Sequence, residues 1–85
     1  MQSVELYTTK TCGFCHAAKR LLTSKGVSFS EVNLNVQPER RIEMMQRANG
    51  GQTVPQIFVG TMHVGGFDEL NALESAGKLD ALLAG

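Results

Sequence analysis

The two cysteines of the chain, Cys12 and Cys15, lie three positions apart and are the residues best suited to chemistry. A thiolate is both a nucleophile and a metal ligand, so such a pair can exchange disulfides or help to hold a metal ion. Closing so short a loop restricts the unfolded chain little, which argues against a purely structural disulfide. Adding His16 and His63 produces no common zinc spacing. The pair therefore predicts redox chemistry, in preference to two unreactive buried thiols.

The segments on either side of the pair predict a strand that leads into a helix. Residues 3–8 alternate in polarity and are rich in strand formers. Apolar residues then recur at helical intervals from Phe14 to Leu22, and Gly26 is typical of a helix end. Cys12 is thus expected at the N-terminus of this helix. Free backbone N–H groups and the helix dipole favour a thiolate there.

The charges around the pair also favour a thiolate. Lys10 precedes Cys12, Lys19 and Arg20 follow on the helix, and no acidic residue occurs from position 6 to position 25. The local field is therefore positive in a chain with no formal net charge. Cys15, one helical turn beyond Cys12, is positioned to attack a mixed disulfide at Cys12 and release the partner.

The rest of the chain predicts a second strand, a helix, a hairpin and two further helices. A strand–helix–strand crossover makes the first two strands parallel, and a hairpin makes the last two antiparallel. The expected fold is α/β, with a mixed four-stranded sheet flanked by helices in the order βαβ, α, ββ, α, short α. The predicted segments are a strand at 27–34, a helix from Pro38 to Asn49, a hairpin at 57–64 turning at Gly60-Thr61, a helix bearing Leu70, Leu73 and Ala76, and a last helix bearing Leu79, Leu82 and Leu83.

Composition and charge limit the other classes of function. The chain has 85 residues, 42% of them apolar, which predicts a single folded domain over residues 1–85. Zero formal net charge favours neither nucleic acid nor an anionic membrane surface as a partner. No apolar run reaches the length of a transmembrane helix, and the first residues carry no signal-peptide pattern. We therefore expect a cytoplasmic monomer.

Three different motifs lie along the chain at intervals that are typical of one family. They are TCGFCHAAK at residues 11–19, TVPQIFV at 53–59 and VGGFDEL at 64–70. Together they resemble the glutaredoxins over nearly the whole chain, and most of all the small bacterial dithiol type, here with a CGFC active site. The resemblance implies a thioredoxin-like fold. It also implies glutathione-dependent reduction of glutathione mixed disulfides and protein disulfides, with Cys12 and Cys15 as catalytic residues.

The resemblance also implies a groove for the cysteinyl part of glutathione. It predicts a cis peptide bond before Pro55, so that the Val54 backbone pairs with that part as a strand would. Thr53 would border the same groove, and Phe14 would form its wall on the cysteinyl side.

The two ends of glutathione are assigned to other residues. The resemblance implies that Gly66, Phe67 and Asp68 hold the γ-glutamyl end. Independently of the family, the amides of Phe67 and Asp68 open a helix and form a carboxylate site. The glycyl carboxylate is expected near Lys10 and Gln52. The family usually has its lysine one position earlier, where this chain has Thr9, and often has an arginine where this chain has Gln52.

Two alternatives remain open at the level of the sequence. The first is a dimer that holds a [2Fe–2S] cluster through Cys12 and two glutathione thiols, for which Gly13 in place of proline leaves the loop unhindered. The second is a thioredoxin-like reductase that does not use glutathione, against which the basic surroundings and the TVP segment argue. His63, in a hairpin strand, is expected at the surface and not as a ligand.

Overall fold

The computed structural model describes residues 1–85 and contains four strands and four α-helices. A short 3₁₀ turn, Pro38–Arg40, precedes the second helix. None of the helices combines the length and the apolarity that crossing a bilayer requires. The elements are β1 Val4–Thr8, α1 Gly13–Ser24, β2 Ser30–Asn33, α2 Arg41–Arg47, β3 Gln56–Val59, β4 Met62–Gly65, α3 Phe67–Ser75 and α4 Leu79–Ala84.

The four strands form one mixed sheet in the order β2-β1-β3-β4. β1 pairs in parallel with β2, as the crossover through α1 requires, and antiparallel with β3. In the hairpin, Val59 pairs with Met62, and Gly60 begins the two-residue turn with a φ of 59°. The predicted four-stranded sheet flanked by helices is therefore confirmed.

Successive side chains of the central strands point to opposite faces of the sheet, so they pack into two different cores. On one face, Leu6 of β1 and Ile57 of β3 pack with α1, α3 and α4. On the other face, Tyr7 and Phe58 pack with Met44 of α2. The helix that begins at Cys12 therefore lies over the first core, and α2 covers the second.

Two predicted elements are shorter than their apolar patterns suggested. The strand expected at 27–34 is regular only over Ser30–Asn33, although Val27 and Leu34 are both buried. The helix expected from Pro38 starts as the 3₁₀ turn and becomes α-helical at Arg41. At the two ends of the strand, burial accounts for the apolar residues Val27 and Leu34, because loop residues also pack into the cores, whereas the 3₁₀ turn before the helix buries none of its residues.

The peptide bond between Val54 and Pro55 is cis. It immediately precedes β3, whose partner β1 leads to the cysteine pair. The loop at 53–55 and the N-terminus of α1 thus lie at the same end of the sheet, which is the end at which the candidate site is found.

Candidate active site

Cys12 occupies the N-cap of α1, at the point where the chain leaves β1 and enters the helix. Its Sγ accepts a hydrogen bond from the backbone N–H of Cys15 at 3.1 Å. Its thiol also lies 3.6 Å from the Val54 carbonyl oxygen, to which it donates. The free N–H groups of the first turn and the positive end of the helix dipole therefore face the Cys12 sulfur. The structure thus places Cys12 at the helix N-terminus, as the sequence predicts.

Cys15 lies in a different environment from Cys12. Its side chain is fully buried, whereas Cys12 is partly exposed. Burial raises the pKa of the Cys15 thiol to about 12, and the hydrogen bond and charge of Cys12 act in the same direction. Only Cys12 can therefore be reached by a bulky disulfide, while the buried Cys15 remains protonated.

The positive field predicted around the pair is weaker than the sequence suggested. The Lys19 ammonium forms an ion pair with Glu31 at 3.0 Å, and the Thr8 hydroxyl donates to the same carboxylate at 2.6 Å. Burial would raise the pKa of Glu31, but these two partners hold it below its usual range. Glu31 is distant in sequence and reaches Lys19 only because β2 lies beside β1. Lys10 and Arg20 remain exposed cations on this side of the molecule.

A cavity of about 320 Å³ lies beside Cys12. The rings of Phe14 and Phe67 stack across it with centroids 6.2 Å apart, and Phe14 is 63% exposed. Val54, whose carbonyl contacts Cys12, belongs to the same cavity. The lining consists of Phe14, Thr53, Val54, Pro55, Gly66, Phe67, Asp68 and Glu69. Seven of these eight residues were expected there from the sequence.

Lys10 and Gln52 do not line this cavity. Lys10 is exposed, and its backbone N–H donates to the Asn35 side chain at 2.5 Å. The Gln52 carbonyl accepts a hydrogen bond from the Arg41 guanidinium at 2.9 Å. Arg41 therefore brings a cation next to Gln52, which the sequence did not indicate because the two residues belong to different elements.

Two residues were not named from the sequence: Glu69, which lines the cavity, and Gln56, which lies outside it but hydrogen-bonds the cavity residue Thr53. Glu69 lines the cavity and accepts a hydrogen bond from the Gly66 N–H at 2.7 Å, as expected of a carboxylate three residues beyond an N-cap. That spacing alone could have identified it. Gln56 is 5% exposed and hydrogen-bonds Thr53, and its position as the only amide in an apolar strand was an available signal.

No group of three or more His, Cys, Asp or Glu side chains is close enough to hold a metal ion. His16 contacts the Lys10 carbonyl at 3.3 Å, and His63 contacts the Gln56 side chain at 2.7 Å. His63 is half-buried, whereas the sequence analysis expected it at the surface.

Comparison with known proteins agrees with this geometry. The glutaredoxin family model matches residues 4–64, which is more than half of the chain. The chain belongs to the glutaredoxin family. It is 52% identical to Glutaredoxin 3 of Escherichia coli K12 over 83 residues, covering 98% of this chain and 99% of that protein. The predicted family is confirmed.

Solved glutaredoxin structures share the fold of this glutaredoxin. The solution structure of glutaredoxin from Brucella melitensis superposes with a TM-score of 0.83 at 51% identity, covering 98% of this chain and 89% of that one. A buckwheat glutaredoxin–glutathione complex has a TM-score of 0.88 at 26% identity, with 98% and 77% covered. The fold is therefore thioredoxin-like, and the protein is a glutathione-dependent thiol–disulfide oxidoreductase with a CxxC motif.

Proposed function

We propose that this glutaredoxin reduces glutathione mixed disulfides and protein disulfides, with Cys12 as the nucleophile and Cys15 as the resolving thiol. The observation that carries the proposal is the hydrogen bond from the Cys15 amide to the Cys12 sulfur at 3.1 Å, at the N-terminus of α1 and next to the cavity. That arrangement directs a helix amide and the positive end of the helix dipole at the one cysteine that substrates can reach.

The reaction on a glutathionylated protein needs only Cys12. The Cys12 thiolate attacks the glutathione sulfur, the protein thiolate leaves and takes up a proton, and a Cys12–glutathione disulfide forms. A second glutathione thiolate attacks the glutathione sulfur of that disulfide, which releases oxidised glutathione and regenerates the Cys12 thiolate. The mixed disulfide is thereby reduced to the protein thiol at the cost of one free glutathione, which leaves as oxidised glutathione together with the glutathione that the protein carried.

Cys15 takes part in the reduction of protein disulfides, and its environment ensures that it reacts only after Cys12 has formed a mixed disulfide. Part of the rise in its pKa comes from the hydrogen bond and the charge of Cys12. Both contributions are lost once Cys12 is in a mixed disulfide, so Cys15 becomes easier to deprotonate. Its thiolate then attacks the Cys12 sulfur, the partner leaves as a thiolate, and a Cys12–Cys15 disulfide remains for glutathione to reduce.

The cavity beside Cys12 is the proposed site for glutathione. In this assignment the Val54 backbone pairs with the cysteinyl part, with Thr53 and Pro55 at its border and Phe14 as its wall. Support comes from the stacked Phe14 and Phe67 rings and from the buckwheat relative, whose structure is described as a glutathione complex.

The charged ends of glutathione are assigned to the two sides of this cavity. We assign the γ-glutamyl end to Gly66, Phe67 and Asp68, because the first amides of α3 have no acceptors within the helix and favour a carboxylate. We assign the glycyl carboxylate to Lys10 and Gln52, which flank the cysteine loop and the TVP loop outside the cavity.

The proposed partners are glutathione and proteins that carry accessible disulfides. One chain holds both cysteines and the whole cavity lining, so a monomer suffices for the reaction. The cycle depends on a reducing glutathione pool, which is characteristic of the cytoplasm, and we propose that location.

Substituting each cysteine separately tests the assignment of roles. Cys12→Ser should lose at least 100-fold, on the order expected for removal of a nucleophile, on a glutathionylated peptide. Cys15→Ser should keep activity on that peptide, because glutathione resolves the intermediate, but should lose reduction of a protein disulfide by the dithiol route. Initial rates with both substrates measure this. Equal losses in the two variants on the glutathionylated peptide would contradict the proposal.

The [2Fe–2S] alternative has less support. Such a cluster takes four thiolates, and one chain offers a single exposed cysteine, so two chains and two external thiolates are needed. The feature in its favour is the open space at Gly13, where an added Cβ would meet no atom within 4 Å. Anaerobic reconstitution with iron, sulfide and glutathione decides between the two. A colourless monomer from both the wild type and Cys15→Ser eliminates the cluster.

A further inference from the structure

Gln56 is a buried amide whose two ends are both hydrogen-bonded. Its Nε2 donates to the Thr53 carbonyl oxygen at 3.0 Å, and its Oε1 lies 2.7 Å from His63 Nε2. The side chain is 5% exposed, so neither end relies on solvent. His63 is itself held in place, because its ring stacks on Phe58 with centroids 5.0 Å apart.

The partners fix which way the amide of Gln56 points. A carbonyl oxygen accepts only, so the NH₂ group must face Thr53 and the oxygen must face His63. His63 therefore donates from Nε2, as both its Nε2–H tautomer and its imidazolium can. Gly51 leaves room for this arrangement, since a Cβ there would come within 2.9 Å of the Gln56 Nε2.

The hydrogen bond to Thr53 also orients the next peptide group. The bond between Thr53 and Val54 is trans, because the only cis bond is the one after it. In a trans peptide the C=O and the N–H point in opposite directions. Holding the Thr53 oxygen on the Gln56 side therefore turns the Val54 N–H away from Gln56. That N–H makes no backbone hydrogen bond, and Val54 lines the cavity beside Cys12.

We propose that Gln56 and His63 are positioning residues that present the free Val54 N–H to the cysteinyl backbone of the glutathione moiety. Neither residue lines the cavity, so both act through the Thr53–Val54 peptide. This inference rests on the proposed function, in which that N–H pairs with glutathione. It explains why an otherwise apolar strand carries a buried amide.

The test compares two mixed disulfides of one peptide, the first with glutathione and the second with cysteamine, which has no peptide backbone. Gln56→Met keeps the length of the side chain and removes both hydrogen bonds. We expect its KM for the glutathionyl peptide to rise about 3- to 10-fold, the equivalent of one hydrogen bond, at unchanged kcat. Its kcat/KM for the cysteamine peptide and its alkylation rate with iodoacetamide should match the wild type, because Cys12 is untouched.

Two further variants control the experiment. His63→Phe keeps the stacking on Phe58 and removes the donor, so it should raise the same KM by about 2- to 3-fold, less than Gln56→Met. Gln46→Met makes the same chemical change at an exposed position of α2 and should leave every parameter unchanged. If Gln56→Met folds poorly, the test relies on His63→Phe. In that variant, a change in the chemical shift of the Val54 amide would report that the Thr53–Val54 peptide group has turned.

The outcomes separate this inference from the proposed function. A KM for the glutathionyl peptide that is unchanged in Gln56→Met and His63→Phe overturns the positioning role. Equal losses on both peptides also overturn it, because they indicate a general structural defect. A wild-type protein that does not prefer the glutathionyl peptide overturns the proposed function, and the positioning role with it.

Discussion

The two faces of the sheet are built from different chemistry. The buried residues of the face under α1, α3 and α4 are all aliphatic, with Leu6, Leu22 and Leu70 fully buried, and the partly buried Phe29 and Phe67 pack against them. The face under α2 combines aromatic rings with charges. There the Tyr7 hydroxyl donates to the Glu43 carboxylate and accepts from Arg47 at 2.8 Å. The Arg47 guanidinium also lies 4.1 Å from the centre of the Phe58 ring.

This difference separates the part of the fold that fixes the reactive helix from the part that responds to pH. An aliphatic core gains its stability from burial and close packing, which do not depend on pH. The α2 face gains part of its stability from hydrogen bonds to ionised groups, which are lost when those groups are neutralised. The position of Cys12 should therefore be most sensitive to changes in the aliphatic core.

The largest effect on stability is expected from Leu22→Ala in α1. Leu22 is fully buried, and removing its side chain should lower the free energy of unfolding by about 2–5 kcal/mol, through lost burial and the cavity left behind. That is a large fraction of the roughly 5–15 kcal/mol typical of a domain. Chemical denaturation measures it. Leu21→Ala, a half-buried neighbour that packs against the same core, is the matched control and should lose less; an equal loss would show that the extent of burial does not set the size of the effect.

A smaller effect is expected from Tyr7→Phe on the α2 face. The ring still fills its buried position against Phe58, 5.8 Å away, and only the hydroxyl is lost. Glu43 remains bonded to Arg40, and Arg47 to Glu5, so neither charge is left alone. We expect a loss of about 0.5–1.5 kcal/mol in the free energy of unfolding, with unchanged alkylation of Cys12. A loss as large as that of Leu22→Ala would mean that the polar network stabilises this face as much as packing does.

The smallest effect at neutral pH is expected from Glu43→Gln, and its signature is in the pH dependence. Hydrogen bonds from Arg40 and Tyr7 hold the pKa of the Glu43 carboxyl below its usual range. The unfolded chain therefore takes up a proton at a higher pH than the folded one, so stability falls as the pH drops below the ordinary glutamate value of about 4.3. The effect is small because the side chain is 39% exposed to solvent.

The measurement is the free energy of unfolding from pH 7 to pH 3 for the wild type and Glu43→Gln. As the pH falls, the free energy of unfolding should decrease less in the variant than in the wild type. The two proteins should therefore be most similar in stability at the lowest pH. If the free energies of unfolding of the two proteins fall in parallel from pH 7 to pH 3, this carboxylate does not contribute to the acid sensitivity of the α2 face.

Much of the candidate site was visible in the sequence because it is built from short segments. The cysteine pair, the TVP loop and the start of α3 each occupy only a few consecutive residues, and local rules for strands, helix starts and turns predict their conformations. Seven of the eight residues around the cavity were named through the resemblance of these segments to the glutaredoxins, and only the Phe67 and Asp68 amides also followed from a local rule. Glu69 was not, although the spacing of a helix cap could have indicated it.

What the sequence by itself determined was the order of the elements, the parallel and antiparallel pairs within the crossover and the hairpin, and the placement of Cys12 at a helix N-terminus. Only the tertiary structure decided that β3 pairs with β1, that Glu31 neutralises Lys19, and that His63 and Gln56 support the Val54 peptide. The physical reason is distance along the chain. Local patterns record which way a residue faces, whereas its partner from another element depends on how the elements pack together.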